Sequence, residues 1–258
     1  MEIGLTVGGS IDRIEETAAG FDFVEFGLAE AADLPGSIDG DRLVETLDRF
    51  DLALDVHLPF KQVVATPVPA LNDALVSHKR DLLAWAGSLG ARKAVLHGTV
   101  RDPYDTDLRG TAADQIERIV AAGREHGVEV VVENVGHQQY GLQLSVLGDL
   151  TEQVDAPVCF DLGHAYMEEG MDGLDRFAKY HGDRVSHLHV HDVRRRGDTH
   201  IPVGAGEIDY GVLDERFGGF DGTAAIEVFT DDAALLRDSA GRTADHLGGT
   251  FDPPEWTD

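Results

Sequence analysis

Imidazole and carboxylate side chains crowd one stretch of the chain, SHLHVHDVRRRGDTHIPVGAGEIDY at residues 186–210. His187, His189 and His191 alternate there with apolar residues, as they would on one face of a strand. Histidine and acidic side chains are seldom buried without a partner. A divalent metal ion is a partner that imidazole and carboxylate groups can share. The stretch therefore indicates metal chemistry at the end of a buried strand.

Residues of the same kinds end five other strand-like segments of the chain. If those segments are parallel strands of a barrel, their carboxyl ends converge on one mouth, where barrel enzymes build their active sites. A single histidine or acid would more simply be a structural residue, but convergence at one mouth predicts a shared site. The residues are His57, His97, Glu133, Asp161, His164 and Glu227, joined by Asp198 and His200 from the loop after the seventh segment.

The elements that must position these residues alternate along the whole chain. Short segments rich in Val, Ile, Leu and Phe are separated by stretches with helical spacing of apolar residues. Eight such pairs predict a parallel sheet closed into a single (β/α)8 TIM barrel over residues 1–258, with a loosely packed tail from about residue 248. An open doubly wound sheet is the alternative, although no glycine fingerprint follows the first strand. The predicted strands span 2–7, 23–28, 52–58, 93–99, 128–135, 157–163, 184–192 and 224–229.

The composition narrows the classes of partner. A net charge of −27 disfavours non-specific attraction to a nucleic-acid backbone. An acidic chain with few lysines resembles the proteins of salt-loving, halophilic microbes, so the charge is interpreted as an adaptation to solvent. No apolar run approaches the roughly 20 residues of a membrane span. The single cysteine, Cys159, excludes an internal disulfide and predicts a cytoplasmic location.

Four segments together resemble the xylose isomerase-like TIM-barrel superfamily: VVVENVG, VCFDLGHAY, HLHVHD…GDTHIPVGAGEIDY and AAIEVF. That superfamily includes sugar and sugar phosphate isomerases and epimerases, and the endonuclease IV-type enzymes of AP endonuclease family 2. The resemblance spans almost the whole chain. In the sugar enzymes it implies one catalytic metal ion, held here by Glu133, Asp161, His189 and Glu227.

The repair endonucleases of the superfamily imply a larger set of ligands for three zinc ions. The resemblance adds His57 and His97 around a second ion that Glu133 bridges. It places His164, Asp198 and His200 around a third ion. All nine positions are filled in this chain.

Two reactions fit this set. The preferred one is a metal-dependent isomerisation or epimerisation of a sugar or sugar phosphate, with one to three Zn, Mn, Co or Mg ions and with Glu133 and Glu227 transferring the proton. The alternative is a trinuclear-zinc phosphodiesterase that cleaves DNA at abasic sites, or a small-molecule phosphoesterase. The sequence offers no basic stripe interleaved with aromatics for DNA, which favours the sugar reaction. The residues expected to contact substrate are His191, Arg194 and Phe60, and orienting the metal ligands is the alternative role for His191.

Overall fold

A computed structural model describes residues 1–30, 36–136 and 140–252. Within these ranges eight parallel strands close into a barrel, which confirms the predicted (β/α)8 architecture. In chain order the barrel strands are β1 (Glu2–Gly8), β2 (Phe23–Gly27), β3 (Ala53–His57), β4 (Lys93–His97), β5 (Glu129–Glu133), β6 (Val158–Asp161), β7 (Val185–Val190) and β10 (Thr223–Ile226).

Helices surround the barrel, so most residues of its strands are buried on both faces and are apolar. Neighbours around the ring follow the chain from β2 to β7, and β10 closes the ring between β7 and β1. The helices of the described part are α1 (Ile11–Thr17), α2 (Gly40–Phe50), α3 (Pro69–Ser88), α4 (Leu108–Glu125), α5 (Leu144–Gln153), α6 (Leu162–His181), α7 (Tyr210–Phe217) and α8 (Ala233–Leu247).

The strand register brings the predicted site residues side by side at the carboxyl end of the barrel. His97 of β4 pairs with Glu133 of β5, and Asp161 of β6 pairs with His189 of β7. His57 ends β3 beside β4. The convergence expected from the strand ends is therefore a direct result of barrel register.

A short antiparallel hairpin follows β7, where the sequence indicated an extended loop. It consists of β8 (Asp192–Arg194) and β9 (Gly197–Ile201). Its turn places Arg195 and Arg196 at φ values of 55° and 52°, in the left-handed region that Gly and Asn usually fill. Arginine is not a residue type that indicates such a turn, so the sequence did not predict the hairpin.

Arg196 fastens this hairpin to α6. Its Nε and Nη2 donate to the carbonyl oxygens of Met167 and Glu168, at 3.1 and 2.7 Å. Those carbonyls lie just before a break in α6 at Gly170, whose φ is 68°. The guanidinium thus caps the first half of the helix, as cations near helix carboxyl ends do.

The described part of the tail is packed against the barrel. Phe251 lies 5.0 Å from Phe21 between ring centroids, and the loosely packed tail from about residue 248 stays a prediction. Residues 253–258 lie outside the described residues. No helix in the described ranges is both long enough and apolar enough to cross a membrane.

An acid–arginine pair lies at the amino-terminal end of the barrel. Asp55 of β3 is fully buried, and its two carboxylate oxygens accept from Nε and Nη2 of Arg92 at 3.2 and 3.3 Å. Arg92 also donates to Glu2 at 2.6 Å. Burial raises the pKa of Asp55, although His187 and Arg92 act in the opposite direction.

A buried lysine supports the loop after β3. Lys79 of α3 donates from Nζ to the carbonyl oxygen of Pro59 at 2.9 Å, and burial lowers its pKa to about 8. In the unfolded chain the same group titrates near its ordinary value of 10.5. Between these two pH values the unfolded chain binds more protons than the folded protein, so the stability contributed by Lys79 rises with pH.

We expect Lys79→Met to remove this rise. The wild-type free energy of unfolding should gain at most ~3 kcal/mol from Lys79 between pH 8 and 10.5. Urea titrations at several pH values would measure the gain. Subtracting the variant's free energy of unfolding from that of the wild type at each pH removes the contributions of other groups. Lys61→Met, at an exposed lysine, is the matched control and should follow the wild type. A Lys79→Met curve parallel to wild type would contradict the assignment.

Candidate metal centre

Four predicted ligands meet at the carboxyl end of the barrel and form what we term the central cluster: Glu133, Asp161, His189 and Glu227. Nδ1 of His189 lies 3.4 Å from Oε1 of Glu133, 3.2 Å from Oε2 of Glu227 and 3.8 Å from Oδ2 of Asp161. One imidazole nitrogen therefore faces three carboxylates. Glu227 directly follows β10 and is not inside that strand, contrary to the prediction, because β10 ends at Ile226.

Glu133 is shared between the central cluster and a second group, the rim cluster of His57, His97 and Glu133. Its Oε2 faces Nε2 of His57 at 3.3 Å and Nε2 of His97 at 3.0 Å. Its Oε1 faces the opposite way, toward His189 and His164. The two carboxylate oxygens thus point to two different groups of imidazoles, as a bridging ligand requires.

The third group, the hairpin cluster, consists of His164, Asp198 and His200. Oδ1 of Asp198 lies 3.5 Å from Nε2 of His164 and 2.7 Å from Nε2 of His200. His164 comes from the first turn of α6, and the other two come from β9. All nine predicted ligands therefore lie in three contiguous clusters.

Asp161 is held in place by two neighbours, Asn134, which the sequence analysis did not assign, and His191, which it did. The side chain of Asn134 accepts from the backbone N–H of Asp161 and donates to its carbonyl oxygen, both at 2.9 Å. His191 places Nε2 at 3.2 and 3.3 Å from the two Asp161 oxygens. A side chain on Gly163 would lie 2.1 Å from the His191 ring, so the glycine of DLGH makes room for this contact.

A buried acid inside the barrel, Glu25 of β2, was also missed by the sequence analysis. Its Oε2 accepts from Nε2 of His187 at 3.1 Å and from Nε2 of His189 at 3.0 Å. Burial raises the pKa of Glu25, but attraction to His189 and the hydrogen bond from His187 outweigh burial and hold the pKa well below its usual range. The available signal was an acid in the otherwise apolar strand segment FVEFG.

Protonated histidines in the clusters compensate the negative charge of the carboxylates beside them. Burial alone would raise the pKa of Glu133, but attraction to His97 and His189 holds that pKa well below its ordinary value. Burial would lower the pKa of His164, but the Asp161 carboxylate beside it raises that pKa well above the usual range. The carboxylates are therefore ionised near neutral pH, and a bound cation would replace protons on histidine.

A cavity of about 750 Å³ opens above the clusters. Phe60 lies on its wall with its side chain half exposed, in edge contact with His57. The other two residues expected to contact substrate lie elsewhere and are not among the described residues that line the cavity. His191 is fully buried behind Asp161, and the guanidinium of Arg194 donates to the carbonyl oxygen of Ala205.

The central cluster passes a chemical test for a cation. Among the described residues, neither Nδ1 of His189 nor Oε2 of Glu227 has a hydrogen-bond partner, although both atoms are buried. Unpaired buried polar atoms are costly, and a carboxylate oxygen and an imidazole lone pair 3.2 Å apart are both satisfied by a cation that they share. Imidazole with carboxylates suits zinc and related divalent metals. The residues present therefore fit a divalent metal ion, whose identity the donor set leaves open.

Known proteins resemble the chain over nearly its full length. The family described as xylose isomerase-like TIM barrel matches residues 15–248. An uncharacterized protein of Methanocaldococcus jannaschii, MJ1311, is 24% identical over 197 residues, which cover 72% of this chain and 67% of that protein.

Two solved structures share the fold. The structure of L-ribulose 3-epimerase aligns with a TM-score of 0.79 at 17% identity, covering 96% of this chain and 95% of that one. The TTHB071 protein from Thermus thermophilus, soaked with ZnCl2, aligns with a TM-score of 0.70 at 25% identity, covering 94% of this chain and 99% of that one.

Proposed function

Because the chain belongs to the xylose isomerase-like TIM-barrel family, we propose that it is a divalent-metal-dependent isomerase or epimerase of a sugar or sugar phosphate. One observation carries the proposal. The unpaired Nδ1 of His189 and Oε2 of Glu227 lie 3.2 Å apart at the base of a small-molecule cavity, and Oε1 of Glu133 lies 3.4 Å from the same Nδ1. The resemblance to L-ribulose 3-epimerase in fold supports the same class of reaction.

The chain's own residues supply the proton transfer. One of the two glutamates, Glu133 or Glu227, removes the proton from the carbon next to the substrate carbonyl, and the C–H electron pair passes into an enediolate. The other glutamate returns a proton to the opposite face, so configuration changes with no net oxidation. A divalent ion held by the central cluster would supply Lewis acidity toward the adjacent substrate oxygens.

The cavity is of a size for a single sugar. Its volume of about 750 Å³ lies within the range of small-molecule sites. Phe60 offers an apolar ring at the wall, on which we propose that the C–H face of a sugar packs. We assign His191 to its alternative role of orienting a ligand, Asp161. Arg194 differs from expectation, because its guanidinium ties the hairpin to the loop at Ala205.

A second candidate is favoured by one specific observation. The two oxygens of Glu133 face separate imidazole groups, and the hairpin cluster adds a third group, so three ions could be held together. That donor set suits a phosphodiesterase or small-molecule phosphoesterase. A Glu133 carboxylate engaged on both oxygens would be a poor base, so the number of bound ions bears directly on which reaction occurs.

The deciding experiment is proton exchange at carbon. We expect the metal-loaded protein to incorporate solvent deuterium into a ketose, aldose or sugar phosphate in D2O, and we expect Glu227→Gln to stop the uptake. NMR of a substrate panel with Mn, Co, Mg or Zn added separately would measure incorporation. Metal content is measured in parallel, because Glu227 is also a predicted ligand.

The same preparations are offered abasic DNA and a simple phosphodiester. Cleavage without carbon exchange, abolished by His57→Ala or His200→Ala, would replace the sugar reaction by the phosphoesterase reaction. Arg101→Gln, at an exposed arginine in the loop after β4, is the control variant and should behave as wild type in both assays.

A further inference from the structure

Glu25 lies inside the barrel, one layer below the central cluster. The carboxylate is fully buried, and a buried ionised acid is costly unless several donors satisfy it. Three donors do so. Besides the two imidazoles on Oε2, the hydroxyl of Thr6 donates to Oε1 at 3.4 Å.

The contact with His189 decides how that ring presents its nitrogens. A carboxylate acceptor requires a proton on Nε2 of His189. The remaining nitrogen, Nδ1, is then free to offer its lone pair, and it faces Glu133, Asp161 and Glu227. If the proton were on Nδ1 alone, Nε2 and the Glu25 carboxylate would present two acceptors to each other inside the barrel.

The neighbouring histidine keeps Glu25 in place. His187 approaches the same Oε2, and its Nδ1 lies 2.6 Å from the hydroxyl of Thr223. The chain of contacts Thr223–His187–Glu25–His189 thus crosses the barrel interior from β10 through β7 to β2 and back to β7. At its end, the His189 ring is fixed through Nε2.

We propose that Glu25 is a positioning residue for the metal centre, which holds His189 as the Nε2–H tautomer and directs Nδ1 to the ion. The inference rests on the proposed function only in requiring a divalent ion at the central cluster. Carboxylates that accept from a metal-bound imidazole raise its basicity and fix its ring, and their loss typically weakens metal binding about 10- to 100-fold.

The first test reads the coordinating atom directly and needs no variant. Wild-type protein labelled with ¹⁵N-histidine is loaded with ¹¹³Cd²⁺, and the metal–nitrogen coupling identifies the bound nitrogen of each ring. We expect coupling to Nδ1 of His189 and a proton on its Nε2. Coupling to Nε2 would overturn the proposal.

The second test measures affinity. Glu25→Gln is expected to bind Zn²⁺ about 10- to 100-fold more weakly in a competition titration with a chelator. Asp55→Asn is the matched control, because it removes another buried acid of the barrel interior that hydrogen-bonds Arg92 and touches no central-cluster residue. An affinity of Glu25→Gln equal to that of Asp55→Asn would refute the role, and Glu25→Asp should recover part of the loss.

Neither measurement uses a substrate. Absence of turnover with every sugar, together with Nδ1 coordination and weakened binding by Glu25→Gln, would remove the isomerase proposal and leave the role of Glu25 intact. Turnover of a sugar by the wild type, together with unchanged Zn²⁺ affinity in Glu25→Gln, would refute the role of Glu25 and leave the isomerase proposal intact.

Discussion

Glu133→Gln should lose bound metal and lower kcat/KM by at least about a thousandfold, equivalent to ~4 kcal/mol of transition-state stabilisation. The two oxygens of Glu133 face four imidazoles from four different elements, with contacts between 3.0 and 3.4 Å. An amide of the same shape removes the negative charge and turns one oxygen into an N–H donor, which cannot ligate a cation. Elemental analysis of protein purified without chelator, together with kinetics on the substrate found by exchange, would measure both effects.

The matched control for this variant lies on the same strand. Glu129→Gln changes the exposed acid at the opposite end of β5 and should leave metal content and rate unchanged. A Glu133→Gln protein with its full complement of metal would show that the carboxylate is not a ligand. Loss of rate with full occupancy would leave Glu133 as a proton-transfer residue alone.

Arg92→Met should lower the free energy of unfolding by ~1–3 kcal/mol, less than the loss of a partner from a fully buried ion pair, because solvent screens the partly exposed guanidinium. The variant keeps most of the apolar stem of the side chain but leaves the carboxylate of Asp55 buried without its guanidinium. Its destabilisation should shrink as the pH falls, since protonation removes the uncompensated charge and burial already raises the pKa of Asp55. Urea unfolding at two pH values would measure this.

The double variant Arg92→Met/Asp55→Asn distinguishes charge from packing. It should recover much of the lost stability, because no unpaired charge remains at the amino-terminal end of the barrel. Arg101→Met, at an exposed arginine, is the control for losing one positive charge from a chain with a net charge of −27. Equal stabilities of Arg92→Met and Arg101→Met would contradict the proposed pairing.

Much of the fold and of the candidate site could be predicted because both follow from local patterns. Buried parallel strands are mostly apolar, so a polar residue at a strand end is conspicuous and its position in a barrel is fixed by topology. Glu133, Asp161 and His189 were found in this way. The third helix shows the limit of local patterns: α3 begins at Pro69, before the helical spacing of apolar residues is evident, because proline fits the first turn of a helix.

The rest depended on contacts between distant segments. Glu25 is an ordinary acid in its own strand, and its importance comes from histidines 162 and 164 residues away that barrel closure places beside it. His191 alternates in sequence with His189 and was expected at the substrate. Because β7 ends at Val190, the ring of His191 lies behind Asp161 instead. The left-handed Arg195–Arg196 turn has no sequence signal at all.

Barrel closure by β10 has a consequence for how the protein is made. Chains are synthesised from the amino terminus, so β10 is the last barrel strand to emerge, and Glu227 follows it directly. A nascent chain that already contains Glu133, Asp161 and His189 still has an open ring and lacks the third carboxylate of the predicted donor set. Truncated translation products ending before Glu227 would therefore carry an incomplete donor set as well as an unpaired edge on β1 and β7.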